Sequence, residues 1–117
     1  MTWLAIPAVL IGNWCLVVDR MLPDTFAYRR CSLEKADLII REDGFDARET
    51  GCQLENLSKI ERDGWSALFK CNGAGVEWHE DDVITYDKGL LKIHVKILEA
   101  KRVSDPMVIY CLMAKCE

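Results

Sequence analysis

The residues with the greatest chemical potential lie in one short stretch, Glu77-Trp78-His79-Glu80-Asp81-Asp82, where an imidazole stands among four carboxylates. Carboxylates and imidazole bind divalent cations and move protons, so a metal or acid/base centre is the functional reading of these side chains. In an extended chain, however, neighbouring side chains point to opposite faces, and few of the six can converge on one ion. The stretch therefore reads as a solvated acidic loop. His94, the other histidine, falls on the polar side of a strand pattern and reads as a surface residue. The chain holds no G-x-S-x-G, no phosphate-cradling glycine loop and no H-E-x-x-H. With two histidines in all, a nucleophile and its base are hard to assemble. The expectation is a protein without catalytic residues, metal or cofactor.

Six cysteines are the next reactive set: Cys15, Cys31, Cys52, Cys71, Cys111 and Cys116. Zinc sites draw their ligands in close couples, and only Cys111 and Cys116 approach that spacing. Three disulfides, or two with a free pair, are expected, with reduced thiols and a metal site as the alternatives. Cys52 and Cys71 sit on the two arms of a hairpin turning at Asp63-Gly64, which makes them a candidate bridge. An ideal two-residue turn there sets Cys71 opposite Asn56, so the bridge requires a longer loop or a bulge, for which Gly51 is suited. The pairing of the other four stays open. Oxidised cysteines place the chain in an oxidising compartment, periplasmic or secreted.

The elements that must position these residues are strands. Turn signals recur at Pro23-Asp24, Asp43-Gly44, Asp63-Gly64, Asn72-Gly73, Asp87-Lys88-Gly89 and Asp105-Pro106. Between Leu90 and Ile97, Leu91, Ile93, Val95 and Ile97 alternate with Lys92, His94 and Lys96, the pattern of a strand with one buried face. It pairs across Asp87-Lys88-Gly89 with Val83 to Tyr86. Ala36 to Arg41 pairs with Phe45 to Leu54 through Asp43-Gly44, Leu57 to Ile60 with Trp65 to Cys71, and Met107 to Leu112 supplies a last strand. Helix competes only at Cys31 to Ala36 and Ile97 to Val103. The fold class is all-β: a small antiparallel meander closing into a barrel or sandwich, stapled by disulfides. Its expected core is Leu38, Ile40, Phe69, Val83, Leu91, Ile93, Val95 and Val108.

The chain of 117 residues has room for one domain. Residues 1–12 carry no charged side chain and resemble the apolar core of a signal peptide, so they are assigned to a leader or its remnant, with residues 13–117 as the β domain. The alternative is a first buried strand, against which Pro7 argues. The run is shorter than the ~20 apolar residues a membrane span needs. A net charge of −4, with both signs scattered, makes nucleic acid a poor partner.

Trp14-Cys15, then Gly44, Glu49 and Cys52, then Cys71-Asn72-Gly73-Ala74-Gly75-Val76-Glu77-Trp78, and finally Tyr110 and Cys116 form a pattern over nearly everything after Gly12. In this the chain resembles small exported cysteine-containing β proteins of unknown function from alphaproteobacteria, which implies export and disulfides but names no activity. Gly12, Trp14 and Cys31 are similar to the G-x-W opening and early disulfide of periplasmic metalloprotease inhibitors, eight-stranded barrels in which the tryptophan plugs one end. Tyr86-Asp87-Lys88-Gly89 resembles an inhibitory loop of periplasmic C-type lysozyme inhibitors, although Asn72-Gly73 stands where that family has serine-glycine. The functional expectation is a non-catalytic binding domain, an inhibitor or adaptor for a cell-envelope or secreted protein. Its candidate binding loop is Asn72, Gly73, Gly75, Trp78 and His79, with Trp78 as hot spot or, on the bland reading, buried in the core. The alternative is a carrier of a small or lipophilic molecule inside the barrel.

Overall fold

Alternation of buried and more exposed side chains runs through much of the long strands, and they close into a cylinder. A computed structural model describes residues 5–17 and 24–101. Eight strands form it: β1 (Gly12–Leu16), β2 (Thr25–Arg30), β3 (Leu38–Arg41), β4 (Gly44–Ala47), β5 (Thr50–Glu61), β6 (Gly64–Gly73), β7 (Val76–Asp87) and β8 (Leu90–Lys101). They pair antiparallel in the order β1-β2-β8-β7-β6-β5-β4-β3, and β3 returns to β1 to close the barrel. From β3 to β8 the chain is a meander of hairpins. The one crossover is the link from β2 to β3, which passes β1 and carries a single 3-10 turn at Leu33–Lys35.

Inward rows from each strand build the core: Leu38 and Ile40, Leu54 and Leu57, Trp65, Ala67 and Phe69, and Leu91, Ile93 and Val95. Six of the eight expected core residues are therefore inside. Val83 is not. On β7 the inward row is Val76, Trp78, Glu80, Asp82 and Ile84, so Val83 has the wrong parity and lies 37% exposed. Val108 and the expected strand Met107 to Leu112 lie outside the described residues, as do Cys111 and Cys116. At Ile97 the helical alternative gives way to strand, because β8 continues to Lys101 in register with Glu77.

Expected turns are displaced by one or two residues. Gly44 and Gly64 open strands instead of sitting in the turns, which fall at residues 42–43 and 62–63. At Gly44 a Cβ would stand 2.0 Å from the Cys52 carbonyl oxygen, so only glycine lets β4 approach β5 there. The expected strand from Phe45 to Leu54 breaks at Arg48-Glu49 into β4 and β5. The β6–β7 turn is Ala74-Gly75, two residues past Asn72-Gly73, with φ of 52° and 80°. Positive φ at both central residues is the type I′ pattern that favours Asn-Gly. Ala74→Asn should therefore raise stability by about 0.5–1 kcal/mol in urea denaturation, since alanine is strained in the left-handed region.

Both disulfides among the described residues have their reason in register. Cys15 and Cys31 join β1 to the segment after β2 on the half-exposed outer side, with Cα atoms 5.7 Å apart. Cys52 and Cys71 face each other directly across β5 and β6, with Cα atoms 4.1 Å apart and both side chains inside the barrel. The bulges that make this possible lie between Lys59 and Glu61 and between Leu54 and Asn56, not at Gly51, which pairs regularly with Asn72. The second bulge also explains why Leu54 and Leu57, three residues apart, are both buried.

Residues 5–11, the described part of the expected leader or remnant, carry two core side chains, Ile6 and Leu10. They cover the end of the barrel at which β1 begins. The Ile6 N–H donates to the Glu42 carbonyl at 2.8 Å, and the Trp14 indole N–H donates to the Leu10 carbonyl at 3.0 Å. The Arg30 guanidinium lies 4.4 Å from the Trp14 ring centre and donates to the carbonyls of Val9 and Ile11. Trp14 is fully buried and meets Tyr86 edge-on at 5.8 Å, so this end is plugged.

Candidate functional site

A barrel of eight strands is just wide enough to be filled by its own side chains or to hold one small ligand. Here the interior is not uniformly apolar. Two carboxylic side chains, Glu80 and Asp82, point inward from the middle of β7 and are fully buried. The acidic stretch is thus not a solvated loop. Its alternation sends His79, Asp81 and Val83 outward while Trp78, Glu80, Asp82 and Ile84 share the inner face. Neighbours on β7 do point to opposite faces, but residues two apart converge.

Trp78 precedes the pair in the same inward row, and its indole N–H donates to Glu80 Oε2 at 2.8 Å. Across the ladders, Glu80 stands opposite Phe69 on β6 and Ile97 on β8, and Asp82 opposite Ala67 and Val95. Ala67, fully buried and the smallest side chain in that layer, adjoins Asp82. Glu80 Oε1 and both carboxyl oxygens of Asp82 are shielded from water and receive no hydrogen bond from the rest of the barrel, so those oxygens can bond only within the pair. Thr50 Oγ1 is likewise buried without a partner, on β5 opposite Gly73. The only buried polar or charged side chains among the described residues are Thr50, Glu80 and Asp82, so no basic group offsets the acids there.

Electrostatics follow from that isolation. Burial raises the Asp82 carboxyl well above its ordinary range, and the Glu80 charge and Asp81 push it further. Glu80 is also raised by burial, but contact with Asp82 and the Trp78 indole pull it back. Two ionised carboxylates accept hydrogen bonds and cannot donate to each other, so the pair is bonded only when one of them keeps a proton. Asp82 holds it and Glu80 carries the charge. Tyr28 on β2 is raised too, by its burial and by Asp37, Asp82 and Glu80, and stays a neutral phenol.

The sign of the pH effect is fixed by those directions. As pH rises through the ordinary aspartate range, about 3.9, the unfolded chain loses the Asp82 proton while the folded barrel keeps it, so stability falls. Asp82→Asn, which imitates the protonated acid, should be about 1–3 kcal/mol more stable than wild type near neutral pH. That advantage should vanish below about pH 4, where both states of the wild type are protonated; urea melts at the two pH values check it.

The disulfide adjoins this pair. One carboxylate oxygen of Glu80 and the sulfurs of Cys52 and Cys71 lie within 4.8 Å of one another. Bonded to each other, the sulfurs are not thiolates, so the trio does not have the donors of a zinc site. The five nominated loop residues are not brought together. Asn72 and Gly73 end β6, Gly75 is in the turn, Trp78 is 1% exposed inside the barrel, and His79 faces outward beside Glu55 at 3.1 Å. His94 lies on the outer surface, as expected, 3.1 Å from the Thr25 hydroxyl. On the outer wall a shallow depression is lined by Arg41, Asp46, Gln53, Lys70, Asn72 and Glu77. Its arginine is paired to Asp43 and Asp46.

Comparison of the chain with protein-family models, with curated proteins and with solved structures finds no match. Among the described residues no helix is long and apolar enough to cross a membrane. Two disulfides are what a chain in a non-cytoplasmic, oxidising compartment would carry.

Proposed function

We propose that this is a non-catalytic binding domain of the periplasm or the secreted space, and that its binding centre is the acid pair inside the barrel. One observation supports the reading above others: three carboxyl oxygens, on Glu80 and Asp82, are buried with no donor to meet them except the other acid of the pair. Replacing buried ionisable groups by apolar residues is often neutral or stabilising, so a barrel selected for stability alone has little reason to keep two acids at its centre. A small molecule that supplies donors to those oxygens gives them one. The rival reading, an inhibitor or adaptor that grips an envelope protein through Asn72 to His79, draws less support, because its aromatic anchor Trp78 faces inward.

Native mass spectrometry of protein purified without denaturation from the cells that produce it tests the proposal. Wild type should carry a non-covalent mass increment that disappears on denaturation, and the near-isosteric double variant Glu80→Gln/Asp82→Asn should lack it. A wild type with no increment, or an increment that the double variant keeps, overturns it.

A further inference from the structure

Cys52, Cys71 and Trp78 stand side by side across β5, β6 and β7 on the inner face, and Glu80 is the next inward residue after Trp78. A long side chain reaches across such a diagonal. One Glu80 oxygen and the two sulfurs accordingly lie within 4.8 Å of one another, and all three residues are buried. Among the described residues this is the one place where three side chains of metal-binding type bring their donor atoms so close. Bonded to each other, the sulfurs are poor ligands; as thiolates they are zinc donors. We propose that reduction of the Cys52–Cys71 disulfide turns this trio into a zinc-binding site, with both thiolates and the Glu80 carboxylate as its ligands.

The donor set selects the metal. Zinc takes cysteine sulfur and glutamate oxygen together, whereas calcium and magnesium want about six or more oxygens. A tetrahedral ion bound at about 2.3 Å to sulfur and about 2.0 Å to oxygen holds its donors about 3.5–3.8 Å apart, inside the observed spacing. No cavity is needed, because the ion lies between its ligands in place of the two thiol protons. The carboxylate is already held as a ligand must be: the Trp78 indole N–H donates to Glu80 Oε2 at 2.8 Å, and Asp82 is in hydrogen-bond contact with the same carboxyl group. No basic side chain is buried in the described interior, so a cation there gives the acid the opposite charge it lacks.

The conversion balances with a dithiol as reductant. The dithiol gives two electrons and two protons to the Cys52–Cys71 bond, becomes a disulfide itself and leaves two thiols, whose protons pass to water as zinc binds. The site exists only in the reduced chain, so it is independent of the ligand proposed above for the disulfide-bonded barrel.

Cobalt(II), which reports thiolate ligands by charge-transfer absorption, is the probe, followed by zinc. It is added to the full chain carrying Cys15→Ser, Cys31→Ser, Cys111→Ser and Cys116→Ser, so that Cys52 and Cys71 are the cysteines that remain. The protein is reduced with a water-soluble phosphine and desalted before titration. The reduced chain should bind one cobalt with thiolate charge transfer, give it up to one equivalent of zinc and keep it in excess magnesium. The same protein left oxidised should show no such absorption. Glu80→Gln should weaken cobalt about ten-fold or more, and Glu80→Asp, which keeps the acid but shortens its reach, should fall between that variant and the parent. Circular dichroism of the oxidised forms shows that each variant folds; if reduction unfolds the parent, zinc should restore its strand signal. A reduced chain without thiolate charge transfer overturns the proposal, as does metal binding that leaves the chain unfolded. Cobalt affinity unchanged in Glu80→Gln overturns it too, since two thiolates would then bind without the acid.

Discussion

Trp78→Ala should cost the fold about 3–5 kcal/mol and leave the Glu80 carboxylate without its indole donor. The side chain is 1% exposed, it fills the layer beside the internal disulfide, and its N–H meets Glu80 at 2.8 Å. Cavity formation and loss of the hydrogen bond separate in Trp78→Phe, which keeps most of the apolar volume and removes the donor. That variant should lose about 1–3 kcal/mol near neutral pH. The part due to the hydrogen bond should shrink in acid, where protonated Glu80 no longer needs a donor to its charge. Urea denaturation of the three proteins at two pH values reads all of this. A surface role for Trp78 predicts almost no loss in either variant.

The second large effect belongs to the internal disulfide. Cys52 and Cys71 are separated by 19 residues, and removing the link frees a loop whose closure is worth about 3 kcal/mol in the chain-entropy model. Cys15 and Cys31, separated by 16 residues, predict nearly the same on that basis alone. What distinguishes the two is position. Cys52→Ala with Cys71→Ala removes two sulfurs from a packed interior and adds about 1 kcal/mol of cavity cost, whereas Cys15→Ser with Cys31→Ser removes two half-exposed ones. Chemical denaturation of the two double variants should rank the internal pair as the costlier. Equal losses would mean the interior relaxes around the missing sulfurs.

The barrel was legible because its signals are local. Leu91, Ile93 and Val95 alternate with charged residues, and Lys88-Gly89 supplies positive φ at 51° and 80°, so the β7–β8 hairpin follows from a dozen residues. Cys52 with Cys71 was legible for the same reason, as two positions on one hairpin. What failed was phase. Counting β7 from Val83 alone puts the wrong face inside, while counting from Val76, Trp78 and Ile84 puts Glu80 and Asp82 inside with them. The alternation itself therefore carried the site, but hydrophobicity excludes carboxylates from a core on sight, and that exclusion outweighed the period. The bulges after Leu54 and before Glu61 were beyond reach, since no glycine or proline marks them and they appear only when β5 and β6 are paired. The pairing of Cys15 with Cys31 follows from β1 pairing with β2, Trp14 opposite Arg30, and β2, with Ala27 and Tyr28 both buried, lacks the alternation that marks a strand in sequence.

Carbon-13 NMR titration of the side-chain carboxyls, assigned to Glu80 and Asp82, tests the central claim most directly. A buried pair that keeps one proton predicts an Asp82 carboxyl that remains protonated well above the ordinary aspartate range, a Glu80 carboxyl that ionises before it, and reciprocal changes in each when the other is made an amide. Two carboxyls that titrate independently at about 4, as solvent-facing groups do, would place them outside the barrel and contradict the account.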